Sequence, residues 1–144
     1  MPIPNSPAFD IATMLIEEEL VTEGEDIFVG RMTDRVSQDT PVVCVYDTPT
    51  EVPANAGYLR DEPTIQIVVR GKGNDYVDAW KKAEEVKGLL LGAKPRTINS
   101  VDYVGFFMNG DLFSLGYDEQ DRPKIVANYR LVREYEEGGN RRPL

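Results

Sequence analysis

The stretch whose residue types and spacing most invite chemistry is Arg70-Gly71-Lys72-Gly73-Asn74, set between an alternating apolar run and a helical pattern. Backbone amides at a helix N-terminus can cradle a phosphate, and a lysine among glycines can reach it. A Walker A loop, however, wants a longer spacer after its first glycine and a hydroxyl after its lysine, and Gly73 follows Lys72 here. A dinucleotide fingerprint wants a small residue where Tyr76 stands. The loop reads as a turn joining strand to helix, with phosphate binding as the lesser alternative.

Other reactive groups fare no better. Cys44 lies inside Val42-Val43-Cys44-Val45-Tyr46 with no basic neighbour to lower its pKa, so it reads as a buried thiol. Glu17, Glu18 and Glu19 are consecutive, and on a helix they diverge by about 100° each, so they cannot converge on one ion. The acidic turn from Tyr117 to Arg122 lacks the glycine and the distal glutamate of a calcium loop, and Pro123 stands where that glycine belongs. The chain has no histidine, which closes most general-base and zinc chemistry near neutral pH. These residues therefore nominate no catalytic, cofactor-binding or metal-binding site.

The elements that position these residues follow from periodicity. Ser6-Pro7 signals a helix start, and Ala8, Ile11, Ala12, Leu15 and Ile16 recur at helical spacing, predicting a helix from Pro7 to Val21 that ends near Gly24. Asp26–Arg31 and Pro41–Asp47 read as strands, joined by a polar link. Thr48–Pro63 holds Pro49, Pro53, Asn55, Gly57 and Pro63 and reads as a long functional arm or a mobile loop. Thr64–Arg70 reads as a central strand. A second helix, capped by Asn74, runs to Leu91 with Gly92 as its stop and an inward stripe of Tyr76, Ala79, Trp80, Ala83, Val86 and Leu90. Asn109-Gly110 predicts a tight hairpin between Asp102–Met108 and Asp111–Leu115. Lys124–Glu134 closes the series as a strand with Ile125, Ala127, Tyr129 and Leu131 on one face and Val126, Asn128, Arg130 and Val132 on the other.

The order of elements predicts an α+β domain: a largely antiparallel β-sheet with two α-helices packed on one face, plus a β-hairpin. One domain is expected over residues 1–135, with a flexible C-terminal tail at 136–144. Across 144 residues, 41% hydrophobic and 28% charged, the composition suits a soluble core-forming chain, and no apolar run approaches the roughly 20 residues of a bilayer span. Met1-Pro2-Ile3-Pro4-Asn5 lacks a basic region followed by an apolar stretch, so the expectation is no signal peptide and a cytoplasmic setting. The net charge of −9 argues against wrapping nucleic acid.

An ordered set of segments carries a family resemblance. Val45-Tyr46-Asp47-Thr48 comes first, then Pro63 to Gly71, then Tyr76 and Ala79 opening a helix that ends Leu89-Leu90-Leu91-Gly92. Leu115 to Pro123 and Asn128-Tyr129-Arg130 complete it. From Phe28 to Glu134 the chain resembles the minor capsid or tail terminator proteins of long-tailed phages. The resemblance implies a structural virion protein, not an enzyme, with no cofactor. It implies a ring, typically a hexamer, that caps the tail tube, contacts the major tail tube protein, and joins the tail to the head–tail connector at the neck. It implies assembly in the host cytoplasm, no membrane partner, and DNA only in transit through the channel, whose acidic wall would repel phosphate. Other neck or tail structural components share such small folds, and a nucleotide-binding enzyme is the remaining alternative. Candidate subunit-interface residues are Pro53 and Asn55 in the arm, Asn109 at the expected hairpin tip, and Arg70 and Lys72 as cross-seam ion-pair partners.

Overall fold

The computed structural model describes residues 3–33, 40–54 and 59–134. The Ser6 hydroxyl accepts the Phe9 amide at 3.2 Å and starts α1 (Pro7–Glu17), which buries Ala8, Ile11, Ala12, Met14 and Leu15. The helix stops at Glu17 instead of continuing to Val21. Glu19 adopts a left-handed φ of 60°, and the amides of Glu19 and Leu20 close on the carbonyls of Ile16 (3.0 Å) and Leu15 (3.1 Å). That double closure is a Schellman motif built without glycine, and it turns Leu20 and Val21 back onto the core.

Next come β1 (Ile27–Val29), β2 (Val42–Thr48), β3 (Arg60–Asp61) and β4 (Thr64–Arg70). β1 is shorter than expected because Gly30, at φ 75°, bends the chain while its amide still donates to the Val45 carbonyl at 2.8 Å. It pairs parallel with β2, which makes the sheet mixed. α2 (Tyr76–Leu91) is capped by Asp75, not Asn74: the Asp75 carboxylate accepts the Asp78 amide at 3.0 Å, while Asn74 sits at φ 57° and donates its amide to the Asp121 carbonyl at 2.8 Å. Gly92 ends the helix as expected. The inward stripe starts at Ala79; Trp80 is half-buried, and Tyr76, expected inward, is exposed and stacks on Trp80 with centroids 6.1 Å apart.

The last part departs most from local reading. β5 (Arg96–Ile98) turns through Asn99 and Ser100, at φ 49° and 67°, straight into β6 (Val101–Tyr117), with Ile98 opposite Val101. Positive φ at both central residues is what a two-residue type I′ hairpin requires. The tight turn expected at Asn109-Gly110 is absent, since those residues lie inside the continuous β6. There the register with β7 (Pro123–Glu134) jumps from Asn109↔Asn128 to Phe113↔Val126, so residues 110–112 bulge out of the ladder, with Gly110 at φ 80°. β7 is long enough to pair both halves of β6, and that non-local ladder overrides the local turn preference. The hairpin proper joins β6 to β7 through the acidic turn. Asp118 staples it by accepting the Gln120 and Arg122 amides at 2.9 and 3.0 Å and the Arg122 guanidinium at 2.7 Å.

The sheet order is β1-β2-β4-β7-β6-β5, with β3 added on β7. Both helices pack on one face, where Val43, Val45, Ile65, Ile67, Val69, Ile125, Tyr129 and Leu131 form the core with the stripes of α1 and α2. At one border of this core Asp10 of α1 is fully buried. Its carboxylate accepts hydrogen bonds from the Tyr103 hydroxyl and from Asn99 Nδ2 (2.8 Å), with the Arg133 guanidinium 3.9 Å away.

Candidate assembly interface

The glycine loop is closed as a phosphate cradle by its own hydrogen bonds. The amide of Gly71 donates to the Pro123 carbonyl (2.9 Å), that of Asn74 to Asp121 (2.8 Å) and that of Asp75 to Lys72 (3.2 Å). A Cβ on Gly71 would lie 2.7 Å from the Ala79 Cβ, so the glycine lets the loop pass close under α2. Lys72 is half-buried and pairs with Asp75 at 3.5 Å. Cys44 is buried, and burial pushes its thiol pKa up, away from nucleophile chemistry. Among the described residues no group of three or more histidine, cysteine, aspartate or glutamate side chains is placed to hold a metal, and no helix is long and apolar enough to cross a membrane.

What the fold does build is a patterned face opposite the helices. The ladders place Thr48, Thr64, Arg130 and Phe107 in one row, and Tyr46, Gln66, Asn128 and Asn109 in the next. Thr48 donates to Thr64 at 3.0 Å and Gln66 to Asn128 at 3.1 Å. Arg130 holds Glu62 at 2.6 Å and lies 4.6 Å over the Phe107 ring. Above this end of the face is an open hollow of about 530 Å³, lined by Thr48, Thr50, Val52, Asn109, Asn128 and Arg130 among others.

This hollow joins two of the sequence candidates that are far apart in the chain. The arm reaches it through Thr50 and Val52, with exposed Pro53 directly following, and Asn109 lines its far wall. Asn55 lies outside the described residues. Arg70 and Lys72 lie at the opposite end of β4, where Arg70 pairs in register with Lys124. Arg70 is 5% exposed and donates to the Thr33 carbonyl at 3.3 Å, so within the single chain its guanidinium is turned inward. The candidates thus fall at two ends of one face.

Residues 14–135 match the family model described as bacteriophage tail terminator protein. The chain belongs to the bacteriophage tail terminator family. No curated protein matches it significantly. A solved structure without a functional description aligns with 88% of this chain and 96% of its own at 12% identity and a TM-score of 0.44, a likeness too loose to carry anything over.

A structural protein of a phage tail works through the surfaces by which it meets other virion components. Sequence reading missed one exposed apolar row. Phe107, Phe113, Leu115 and Tyr117 of β6 are each between 41% and 61% exposed. The expected turn at Asn109-Gly110 divided this strand in two and hid its continuity. A signal was present nonetheless: from Thr97 to Asp121 the sequence has five acids and no lysine or arginine.

Proposed function

We propose that this protein caps the phage tail tube as a ring of identical copies, typically a hexamer, and joins the tail to the head connector, with the genome passing through the hole. Membership of the tail terminator family carries this reading. Its partners on this view are its own copies, the major tail tube protein below and the neck connector above, and its location is the tail–neck junction of the virion, after assembly in the host cytoplasm. The mechanism is passive: a heterologous interface repeated around an axis closes on itself and fixes the copy number, and the closed ring leaves no tube end for further subunits.

The geometry supports a seam built from the arm and the hollow. A chain segment that orders against a neighbour can tie a ring together only once that neighbour is in place. The arm bearing Pro53 and Asn55 would supply this contact, with Asn109 on the hollow's wall and Lys72 offering a cation at the far end. Arg70 would join it only by leaving its Thr33 contact. An acidic channel wall, expected from the net charge of −9, repels phosphate and lets DNA slide.

Particles made without the protein should show overlong or unjoined tails by negative-stain microscopy. Deleting residues 53–57 should abolish ring formation and tail joining while leaving the folded core intact. Normal tails in the absence of the protein would overturn the capping role, and unchanged assembly after the deletion would remove the arm from it.

A further inference from the structure

The sheet ends in two edges of opposite character. On one side β5 covers β6 only at Val101–Tyr103, and among the described residues nothing pairs with the outer edge of β6 from Val104 to Tyr117. A long unpaired edge with large apolar side chains is a template for another strand, and proteins leave such edges only where they are covered in the working assembly or blunted. The bulges after Asn109 and Ser114 bend this one, which restrains indiscriminate pairing without hiding Phe113, Leu115 and Tyr117. Its charge is acidic on balance: Asp102, Asp111, Asp118, Glu119 and Asp121 lie on or beside it, against Lys87 of α2, paired with Asp111 at 2.8 Å, and Arg122, paired with Asp118 at 2.7 Å.

On the other side the sheet ends at β1. From Ile27 to Thr33 the sequence is apolar with one cation, Arg31, and no acid. Val29 is 38% exposed and Arg31 is exposed. β1 pairs only with β2 among the described residues.

We infer that, beside the arm contact, the seam between copies sets the β6 edge of one chain against the β1 edge of the next. Charge decides the occupant. Two β6 edges meeting about a twofold axis would set acid against acid, whereas β1 brings an apolar strand and a cation to an apolar, acidic edge. Joining unlike edges is a head-to-tail contact, which propagates and closes into a ring; a twofold contact would stop at a dimer. The inference rests on the ring reading of the proposed function and adds an edge-to-edge contact to its seam.

The test uses full-length Val29→Cys and Leu115→Cys chains, both at exposed edge positions, with Cys44 buried and out of reach. The two chains are mixed, assembled on isolated tails lacking the protein, and treated with a short bifunctional thiol cross-linker. The expected result is a cross-linked dimer from the mixture and far less from the Leu115→Cys chain alone. Tails that become capped without that dimer, or with as much from the single variant, overturn the edge-to-edge seam and leave the ring reading standing. Tails that bind no protein at all, even the unsubstituted chain, overturn the ring reading and this inference with it. As a second measurement, Arg31→Glu should weaken assembly about tenfold with an unchanged melting temperature; assembly as tight as that of the unsubstituted chain would overturn the pairing of charges.

Discussion

The guanidinium of Arg130 lies 4.6 Å from the centroid of the Phe107 ring and at the same time holds Glu62 at 2.6 Å. One side chain of β7 therefore clamps β6 on one side and the end of the arm on the other. Arg130→Lys keeps the charge and loses the flat stack. With both ion-pair partners partly exposed, the expected cost is about 0.5–1 kcal/mol in urea unfolding. Tail capping should fall more than that stability loss accounts for, because the hollow loses its wall.

Asp10 and Asp118 should give opposite pH signatures. Burial raises the pKa of Asp10 despite the hydrogen bonds from Tyr103 and Asn99 and the nearby Arg133. A carboxyl whose folded pKa lies above its unfolded value holds its proton more tightly when folded. Its contribution is therefore full below the unfolded value and is lost as pH rises through the folded one. Burial also raises Asp118, but the Arg122 and Gln120 amides and the Arg122 guanidinium outweigh it, and its pKa is lowered. That contribution is present above the unfolded value and is lost as pH falls through the folded one. Urea midpoints across roughly pH 3–8 should lose the first trend in Asp10→Asn and the second in Asp118→Asn.

Gly71→Val should destabilise the fold by about 1–3 kcal/mol, because even the Cβ would sit 2.7 Å from Ala79 and 3.0 Å from Pro123. Chemical unfolding measures it directly. If the loop were a ligand cradle instead, the loss would be a binding defect with stability unchanged.

Ser100→Gly should stabilise the protein by up to about 1 kcal/mol, since a serine at φ 67° is strained where glycine is not. Leu131→Ala, by contrast, removes a fully buried side chain from the middle of the core and should cost about 2–5 kcal/mol. Thermal melts of both variants check the two signs together.

Periodicity alone placed both helices, the strands β2, β4 and β7, and the α+β arrangement, because a stripe at helical spacing or an alternating run must find an apolar partner wherever the rest of the chain lies. The absence of histidine and the missing hydroxyl after Lys72 likewise restricted the chemistry before any folding was considered. The family, too, was legible as an ordered set of short segments. Tertiary structure decided everything that depends on a distant partner. Asn109-Gly110 has the strongest local turn preference in the chain, yet it lies inside a strand because β7 pairs with both of its flanks across the bulge. The two-residue turn forms instead at Asn99-Ser100, between β5 and β6, where the Asp10 carboxylate from α1 accepts a hydrogen bond from Asn99. Arg70 looked like a surface cation in sequence and proved to face inward, since its partner Thr33 comes from a different segment. Sequence governs what each stretch prefers; which preference prevails is fixed by the contacts that only the closed sheet brings together.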